Sequence, residues 1–193
     1  MENQNKARAD LRQLMPFFIV AFVGIIYHLR IRPMAGDDVF FSQATSELGL
    51  WDYLIQRYET WTSRFVIEFL LVWIIKYPIL WRLIDLTLFI LFPVLISKIF
   101  DGGKLMDWCA AAAVLLYPFH DMGTAGWITT TVNYFWPVWG MFFVGFLLKK
   151  MLVHKKINIV EGIAGVLVCV IASSHEQVAV ILFVAVSYTH LRA

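Results

Sequence analysis

The sequence predicts an all-α protein: a polytopic bundle of transmembrane helices, with membrane-parallel helices in the first external loop. Of the 193 residues, 60% are hydrophobic and only 16% are charged, and the mean hydropathy of +0.71 exceeds that of soluble domains. Several apolar runs approach the roughly 20 residues that cross a bilayer. No Pro/Ser-rich linker divides the chain, so we expect one helical domain over residues 1–185.

The first span is predicted over residues 14–31. Three basic residues precede this run, and Arg30 and Arg32 flank its far end. Because no A-x-A-like cleavage site follows, the run is interpreted as a retained anchor and not as a signal peptide. The positive-inside tendency then places the N-terminus in the cytoplasm and the next loop outside.

The first external loop combines an acidic pair with an amphipathic segment. Asp37 and Asp38 follow the first span, and residues 39–62 repeat apolar side chains at alternating steps of four and three. That spacing gives a helix one apolar stripe, which suits a helix lying on the membrane surface or packed on its neighbours. Gly49 is expected to divide this helix in two. The stripe consists of Ala44, Leu48, Trp51, Ile55 and Tyr58.

Later apolar runs raise a question of topology. They cover residues 65–81, 83–100, 108–119, 134–152 and 157–186. A cluster of four lysines at 149–156 is expected in the cytoplasm, so an odd number of spans must separate it from the external aspartates. Four runs lie between them, and one is therefore not a full crossing. The run at 108–119 is the first candidate because it is short, and the run beginning at Phe65 is the second because Glu68 interrupts it.

Asp37 and Asp38 are the first candidates for chemistry. A carboxylate pair can hold a divalent cation, Mg²⁺ or Mn²⁺, that grips a phosphate. Alternatively, one carboxylate can act as general base on a hydroxyl nucleophile. The plainer alternative is that the pair only initiates the following helix, since carboxylates favour a helix N-terminus. These two residues alone do not separate the alternatives.

Arg64 and the aromatic segment 120–137 are candidates for binding substrate. A guanidinium can hold a phosphate bidentately, although an arginine beside an apolar run can also snorkel towards lipid headgroups. Asn133, Tyr134 and Trp136 offer aromatic faces and a polar group suited to a sugar ring or a lipid carrier. An interfacial aromatic belt would explain the aromatic residues but not the threonine run at 129–131.

His175 and Glu176 lie within the last apolar run. Ionisable residues at membrane depth are costly and count as functional candidates. The alternative is that residues 157–186 form two shorter helices, with the polar cluster at 173–177 as the turn between them.

Taken together, these motifs resemble a family of bacterial polytopic membrane proteins that is similar to glycosyltransferases of the GT-C fold. The resemblance covers most of residues 10–186. In the GT-C fold, the loop after the first span carries an essential acidic residue and membrane-parallel helices, and the donor is a polyprenyl-phosphate sugar. The matching motifs are Gly36-Asp37-Asp38 with Phe40, Trp61 with Arg64, Gly126-Trp127, Asn133-Tyr134-x-Trp136-Pro137 and His175-Glu176-Gln177.

The resemblance implies a multi-pass enzyme of the bacterial cytoplasmic membrane that moves a sugar from a polyprenyl-phosphate donor to a cell-envelope glycan or lipid. Asp37 and Asp38 match the acidic position as catalytic carboxylates or cation ligands. The lipid bilayer is the expected partner, and a net charge of +2 gives no ground for nucleic acid. The alternative is a non-enzymatic transporter or flippase for lipid-linked sugars, with His175, Glu176 and Glu68 along its path.

The last eight residues, 186–193, depart from this pattern. Their sequence, VSYTHLRA, resembles the translation of a sequencing-adapter remnant that recurs at broken ends of assembled bacterial genes. We therefore expect the native sequence to stop near Ala185, and the chain to be the N-terminal part of a longer protein.

Overall fold

A computed structural model describes residues 2–46 and 48–192, with side chains over 13–46 and 48–188. Within these ranges all regular structure is helical and no strand occurs, so the all-α prediction is confirmed. In chain order the helices are α1 (Glu2–Arg30), α2 (Asp37–Gln43), α3 (Leu50–Thr60), α4 (Phe65–Ile74), α5 (Pro78–Phe100), α6 (Gly103–Leu115), α7 (Phe119–Ala125), α8 (Trp127–Thr130), a π-helical turn (Thr131–Phe135), α9 (Trp136–Leu152), α10 (Ile159–Ser173) and α11 (Glu176–Arg192).

Three helical segments are long and apolar enough to cross a membrane. They are Gln13–Arg30, Pro78–Phe100 and Trp127–Leu152, the last formed by α8, the π-helical turn and α9 without a break. The first matches the predicted span at 14–31. These segments support the prediction of a membrane protein.

Local sequence signals explain several helix boundaries. Pro78 takes the first helical position of α5, where a missing N–H removes no helical hydrogen bond. Asn158 and Glu161 form a capping box at the start of α10, with each side chain accepting from the other residue's backbone N–H at 2.8 and 3.0 Å. Gly49 immediately precedes α3, so the predicted division of the loop helix is confirmed.

The loop that carries Asp37 and Asp38, called the aspartate loop below, and the lysine cluster at 149–156 lie at opposite ends of the bundle. Asp38 bonds to Thr129 near the start of the Trp127–Leu152 segment. Near the end of that segment, Lys149 pairs with Asp101 and donates to the carbonyl of Ile99 at 2.7 Å. Thr129 and Lys149 are 20 residues apart in this helical segment, so about 30 Å separates the two contacts.

Both ends of α4 lie near the aspartate loop. Arg64, just before α4, pairs with Glu176 in the cleft described below, and Lys76, just after it, donates to Thr45 Oγ1 at 3.3 Å. A ten-residue helix extends about 15 Å, half the thickness of the bilayer core. The helix formed by the run beginning at Phe65, the second of the two candidates, is therefore too short to cross the bilayer core.

The run at 108–119, the first candidate, instead lies along α5. Ser97 near the end of α5 bonds to Asp107 near the start of α6. After α6, Phe119 packs edge-on against Phe89, which lies in the middle of α5, at 5.3 Å between ring centroids. Neither α4 nor α6 is among the three membrane-length helices, so which of these two runs is not a full crossing stays a prediction.

The last apolar run is two helices. α10 ends at Ser173 and α11 begins at Glu176, so His175 lies in the turn between them. The alternative interpretation of residues 157–186 is therefore the correct one, and this polar cluster does not interrupt a continuous membrane helix.

The apolar stripe of the loop helix is mostly exposed, although Ala44 packs against the core and Trp51 stacks on Phe65 and Phe69. Trp51, Ile55 and Tyr58 are 63%, 51% and 61% exposed, whereas Tyr53 and Leu54 form the buried side of α3. An exposed stripe of this kind is what a helix at a membrane surface presents.

Candidate functional site

A cleft of about 630 Å³ lies at the bundle end that holds the aspartate loop. Five of the predicted site residues line it, although they come from distant parts of the chain: Asp37, Arg64, Asn133, Tyr134 and Glu176. The remaining lining residues are Phe40, Phe41, Arg57, Trp61, Thr62, Glu68, Ala125, Thr129 and Thr130. The fold thus gathers most of the sequence-predicted site into one cavity.

Two glycines hold the aspartate loop against the turn between α7 and α8. Gly36 has φ +55° and Gly126 has φ +92°, a region that favours glycine. A Cβ on Gly36 would overlap the carbonyl oxygen of Thr124, and one on Gly126 would lie 2.7 Å from Asp38 Oδ1. The motifs Gly36-Asp37-Asp38 and Gly126-Trp127 are therefore in direct contact, which only glycine allows.

Asp38 is fully buried and holds this junction together. Its Oδ1 accepts hydrogen bonds from the backbone N–H and the hydroxyl of Thr129, both at 2.8 Å. Its Oδ2 accepts from the N–H groups of Met34 at 3.1 Å and Ile128 at 3.3 Å. A carboxylate offers about four acceptor positions, so Asp38 has none left for a cation or a substrate.

Asp37 has a different environment from its neighbour. It is the first residue of α2, so the pair does initiate a helix, as the plainer alternative held. Its side chain is exposed and lines the cleft. No described side chain or backbone group forms a hydrogen bond or an ion pair with it. Asp37 is therefore the aspartate that is free to contact a ligand.

Arg57 forms the first of two ion pairs in the cleft. Its Nη2 donates to Glu68 Oε1 at 2.8 Å, and the Tyr53 hydroxyl donates to Glu68 Oε2 at 3.1 Å. Burial, aided by the charge of Glu68, raises the pKa of Tyr53 well above its usual range, so the hydroxyl stays protonated. Arg57 Nε is buried and lacks a hydrogen-bond partner in the described chain. The guanidinium lies 5.6–6.0 Å from the ring centroids of Phe40, Phe41 and Trp61.

Arg64 and Glu176 form the second ion pair. Arg64 Nε donates to both carboxylate oxygens, at 2.9 and 3.2 Å, and Ser63 Oγ donates to Oε1 at 3.1 Å. The guanidinium lies 5.5 Å from the ring centroid of Tyr134. Burial lowers the pKa of Arg64, but the neighbouring Tyr134 and the Glu176 carboxylate outweigh burial and raise it. Arg64 therefore carries a positive charge in the cleft.

His175 and Trp136 do not line the cleft. His175 is 5% exposed and packs its ring edge-on against Tyr134 at 5.6 Å between centroids. Burial and the nearby charge of Arg64 lower the pKa of His175, so its ring is neutral at pH 7. Trp136 points into the bundle, where its Nε1 donates to Asp85 Oδ1 at 2.7 Å.

Sequence reasoning missed Arg57 and a buried pair that does not line the cleft. His28 Nε2 lies 3.0 Å from Asp85 Oδ2, and both residues are almost fully buried. Both are ionisable residues inside apolar runs, so the signal that selected His175 would have found them. Arg57 is the only basic residue between positions 33 and 63, which would have singled it out.

The charges that line the cleft define what it can do chemically. Two arginines and three carboxylates line it, and two of the carboxylates are paired. Asp37 is the carboxylate left over, able to accept a proton from a hydroxyl group. The described residues contain no group of three or more His, Cys, Asp or Glu side chains that could hold a metal ion. A divalent cation at Asp37 would take its other ligands from a substrate phosphate and water, and Asp38 would not be one of them.

The fold and the cleft define this chain as an all-helical protein with membrane-length apolar helices and a charged cleft at one end. Comparisons with protein-family models, with curated proteins and with solved structures found no match for it.

Proposed function

We propose that this protein is a GT-C-like membrane glycosyltransferase of the bacterial cytoplasmic membrane. It moves a sugar from a polyprenyl-phosphate donor to a cell-envelope glycan or lipid. The observation that supports this most directly is the cleft, where the unpaired carboxylate of Asp37 shares one cavity with Arg57, Arg64 and the aromatic ring of Tyr134.

In the proposed reaction, Asp37 is the general base. It accepts the proton of the acceptor hydroxyl as that oxygen bonds to C1 of the donor sugar. The bond between C1 and the phosphate oxygen breaks, and the lipid phosphate leaves with the electron pair. Arg64 stabilises the charge that develops on the leaving phosphate. Asn133 and Tyr134 bind the sugar. Asp38 positions the loop and does not contact the sugar.

The position of the polar residues supports a transferase over a transporter. A transporter path through Glu68, His175 and Glu176 calls for these residues at the membrane midplane. Instead, Glu68 and Glu176 line the same cleft as Asp37, and His175 lies in a turn beside it. The polar groups thus gather around the first loop, as a loop-centred transfer site requires.

The test is an activity assay of the protein in liposomes with a radiolabelled polyprenyl-phosphate sugar and extracted envelope lipids as acceptor. We expect label in a new glycosidic product, and a loss of roughly 100-fold or more in Asp37→Asn with an unchanged melting temperature. Asp52→Asn, an exposed aspartate of the same loop that does not line the cleft, is the matched control. Full activity in Asp37→Asn would refute the role of Asp37 as general base. Label that crosses the membrane without any new bond would support the transporter.

A further inference from the structure

The two ion pairs of the cleft differ in how firmly they are held. Glu68 is buried, and each of its oxygens has its own donor, Arg57 and Tyr53. In the second pair the Glu176 side chain is 48% exposed, against 5% for Glu68. Releasing Glu68 would strand a buried charge, whereas releasing Glu176 would return a carboxylate to water. Glu176 is therefore the partner that can leave.

The second pair does not use the strongest arginine–carboxylate geometry. Both of its hydrogen bonds leave from Arg64 Nε alone. The strongest arginine–carboxylate pairs use two nitrogens in parallel, and partly exposed pairs contribute little to stability. Glu176 is the first residue of α11 and follows a two-residue turn. Rotation of its side chain alone can therefore free the guanidinium.

The charge of the cleft requires such a release before an anion can bind. Two arginines and three carboxylates line the same cavity. While Glu176 is paired with Arg64, the cleft therefore carries a net negative charge and repels a phosphate. If Glu176 withdraws into solvent, Arg64 becomes available. Arg57 then adds a buried N–H without a partner among the described residues.

We propose that Glu176 occupies the place of a ligand phosphate, and that a lipid phosphate binds Arg64 by displacing it. This inference rests on the proposed function for the class of ligand, the prenyl phosphate, but not on any transfer reaction. Arg64 then has two alternative partners, the side chain of Glu176 and the phosphate, which compete for the same guanidinium.

Competition makes a prediction with a defined sign. Glu176→Gln removes the competing charge while retaining an oxygen that can accept from Ser63, so we expect it to bind a phosphate ligand several-fold more tightly. Arg64→Gln should weaken binding at least tenfold. The double variant should bind as weakly as Arg64→Gln, because Glu176 acts only through Arg64.

The experiment measures binding of citronellyl phosphate, a short soluble prenyl phosphate, to the full chain in nanodiscs of neutral lipid. Inorganic phosphate and citronellol are run beside it to separate the phosphate group from the lipid chain. Glu161→Gln is the matched control, because Glu161 pairs with Lys150 at the opposite end of the bundle. That control should leave binding unchanged.

Tighter binding in Glu176→Gln, with either the prenyl phosphate alone or both phosphates, supports the inference. Unchanged or weaker binding in Glu176→Gln, or equal tightening for citronellol, overturns it. Glu176→Ala should change affinity in the same direction, which guards against an effect peculiar to the glutamine. A protein that binds in this way but transfers no sugar would disprove the proposed function alone. Sugar transfer without tighter binding in Glu176→Gln would disprove the inference alone.

Discussion

Asp38 Oδ1 accepts two hydrogen bonds from Thr129, one from its backbone N–H and one from its hydroxyl, each at 2.8 Å. This pair of bonds fixes the first loop to the start of the Trp127–Leu152 segment. The relationship explains why Asp37, the adjacent residue, faces the cleft from a rigid position.

The first prediction separates the two aspartates by stability. Asp38→Asn replaces one oxygen with an amino group that cannot accept, so buried N–H or hydroxyl donors lose their partner. We expect a loss of about 3 kcal/mol in the free energy of unfolding, measured by thermal and denaturant unfolding in detergent. Asp37→Asn should unfold as the wild type does. Equal losses in the two variants would contradict the assignment of separate roles.

The second prediction concerns the contact between the two loops. Gly126→Ala forces a side chain into a left-handed backbone conformation and places its Cβ 2.7 Å from Asp38 Oδ1, so we expect a loss of roughly 2 kcal/mol or more. Gly123→Ala is the matched control. Gly123 lies within α7, and its nearest contact would be an ordinary 3.5 Å. If the two variants unfold at the same temperature, the contact between the loops does not require glycine at position 126.

The third prediction tests the buried ion pair. Arg57→Gln leaves the carboxylate of Glu68 without its charged partner, at a cost of about 3–5 kcal/mol. Adding Glu68→Gln in the same chain removes the stranded charge and should recover part of that loss. A double-mutant cycle in unfolding free energy measures the coupling. Additive effects of the two substitutions would show that the pair contributes no coupling.

The fourth prediction is a pH dependence that involves His175. Its pKa in the folded protein lies below the ordinary value of 6.5, so the unfolded chain binds a proton that the folded chain resists. Stability should therefore fall as pH decreases from about 7 to 5 and be regained on raising the pH. The charged or titratable groups that face the ring are Arg64, Glu176 and Tyr134.

The measurement is the melting temperature of wild type and His175→Asn across that pH range. The asparagine variant should lose less stability on acidification, since it has no ring to protonate. Parallel curves for the two proteins would assign the acid sensitivity to other groups.

Much of the fold was predictable because its signals are local. Apolar run length located the first span, and a glycine within an amphipathic repeat located the division before α3. The break between Ser173 and Glu176 was harder, since polar residues in an apolar run fit either a turn or a buried site. The position of both ends of α4 near the aspartate loop depends on contacts such as Lys76 with Thr45, which no local pattern encodes.

Several residues that line the cleft were predictable one by one, but their assembly was not. Asp37, Arg64, Asn133 and Glu176 were identified as polar residues that hydropathy left unexplained, yet their meeting in one cleft depends on tertiary contacts. Sequence could not separate Asp37 from Asp38, because adjacent helical residues point about 100° apart and only the neighbours decide which is buried. The π-helical turn that carries Asn133 and Tyr134 also had no sequence signal.

The contact between the Gly36 and Gly126 loops has a consequence for inheritance. Each glycine is required by its positive φ and by the close approach of the other loop. A lineage that replaced one would relax selection on the second, so across related chains the two should be kept or lost together. Such paired loss would trace the history of this cleft even where every charged residue around it had changed.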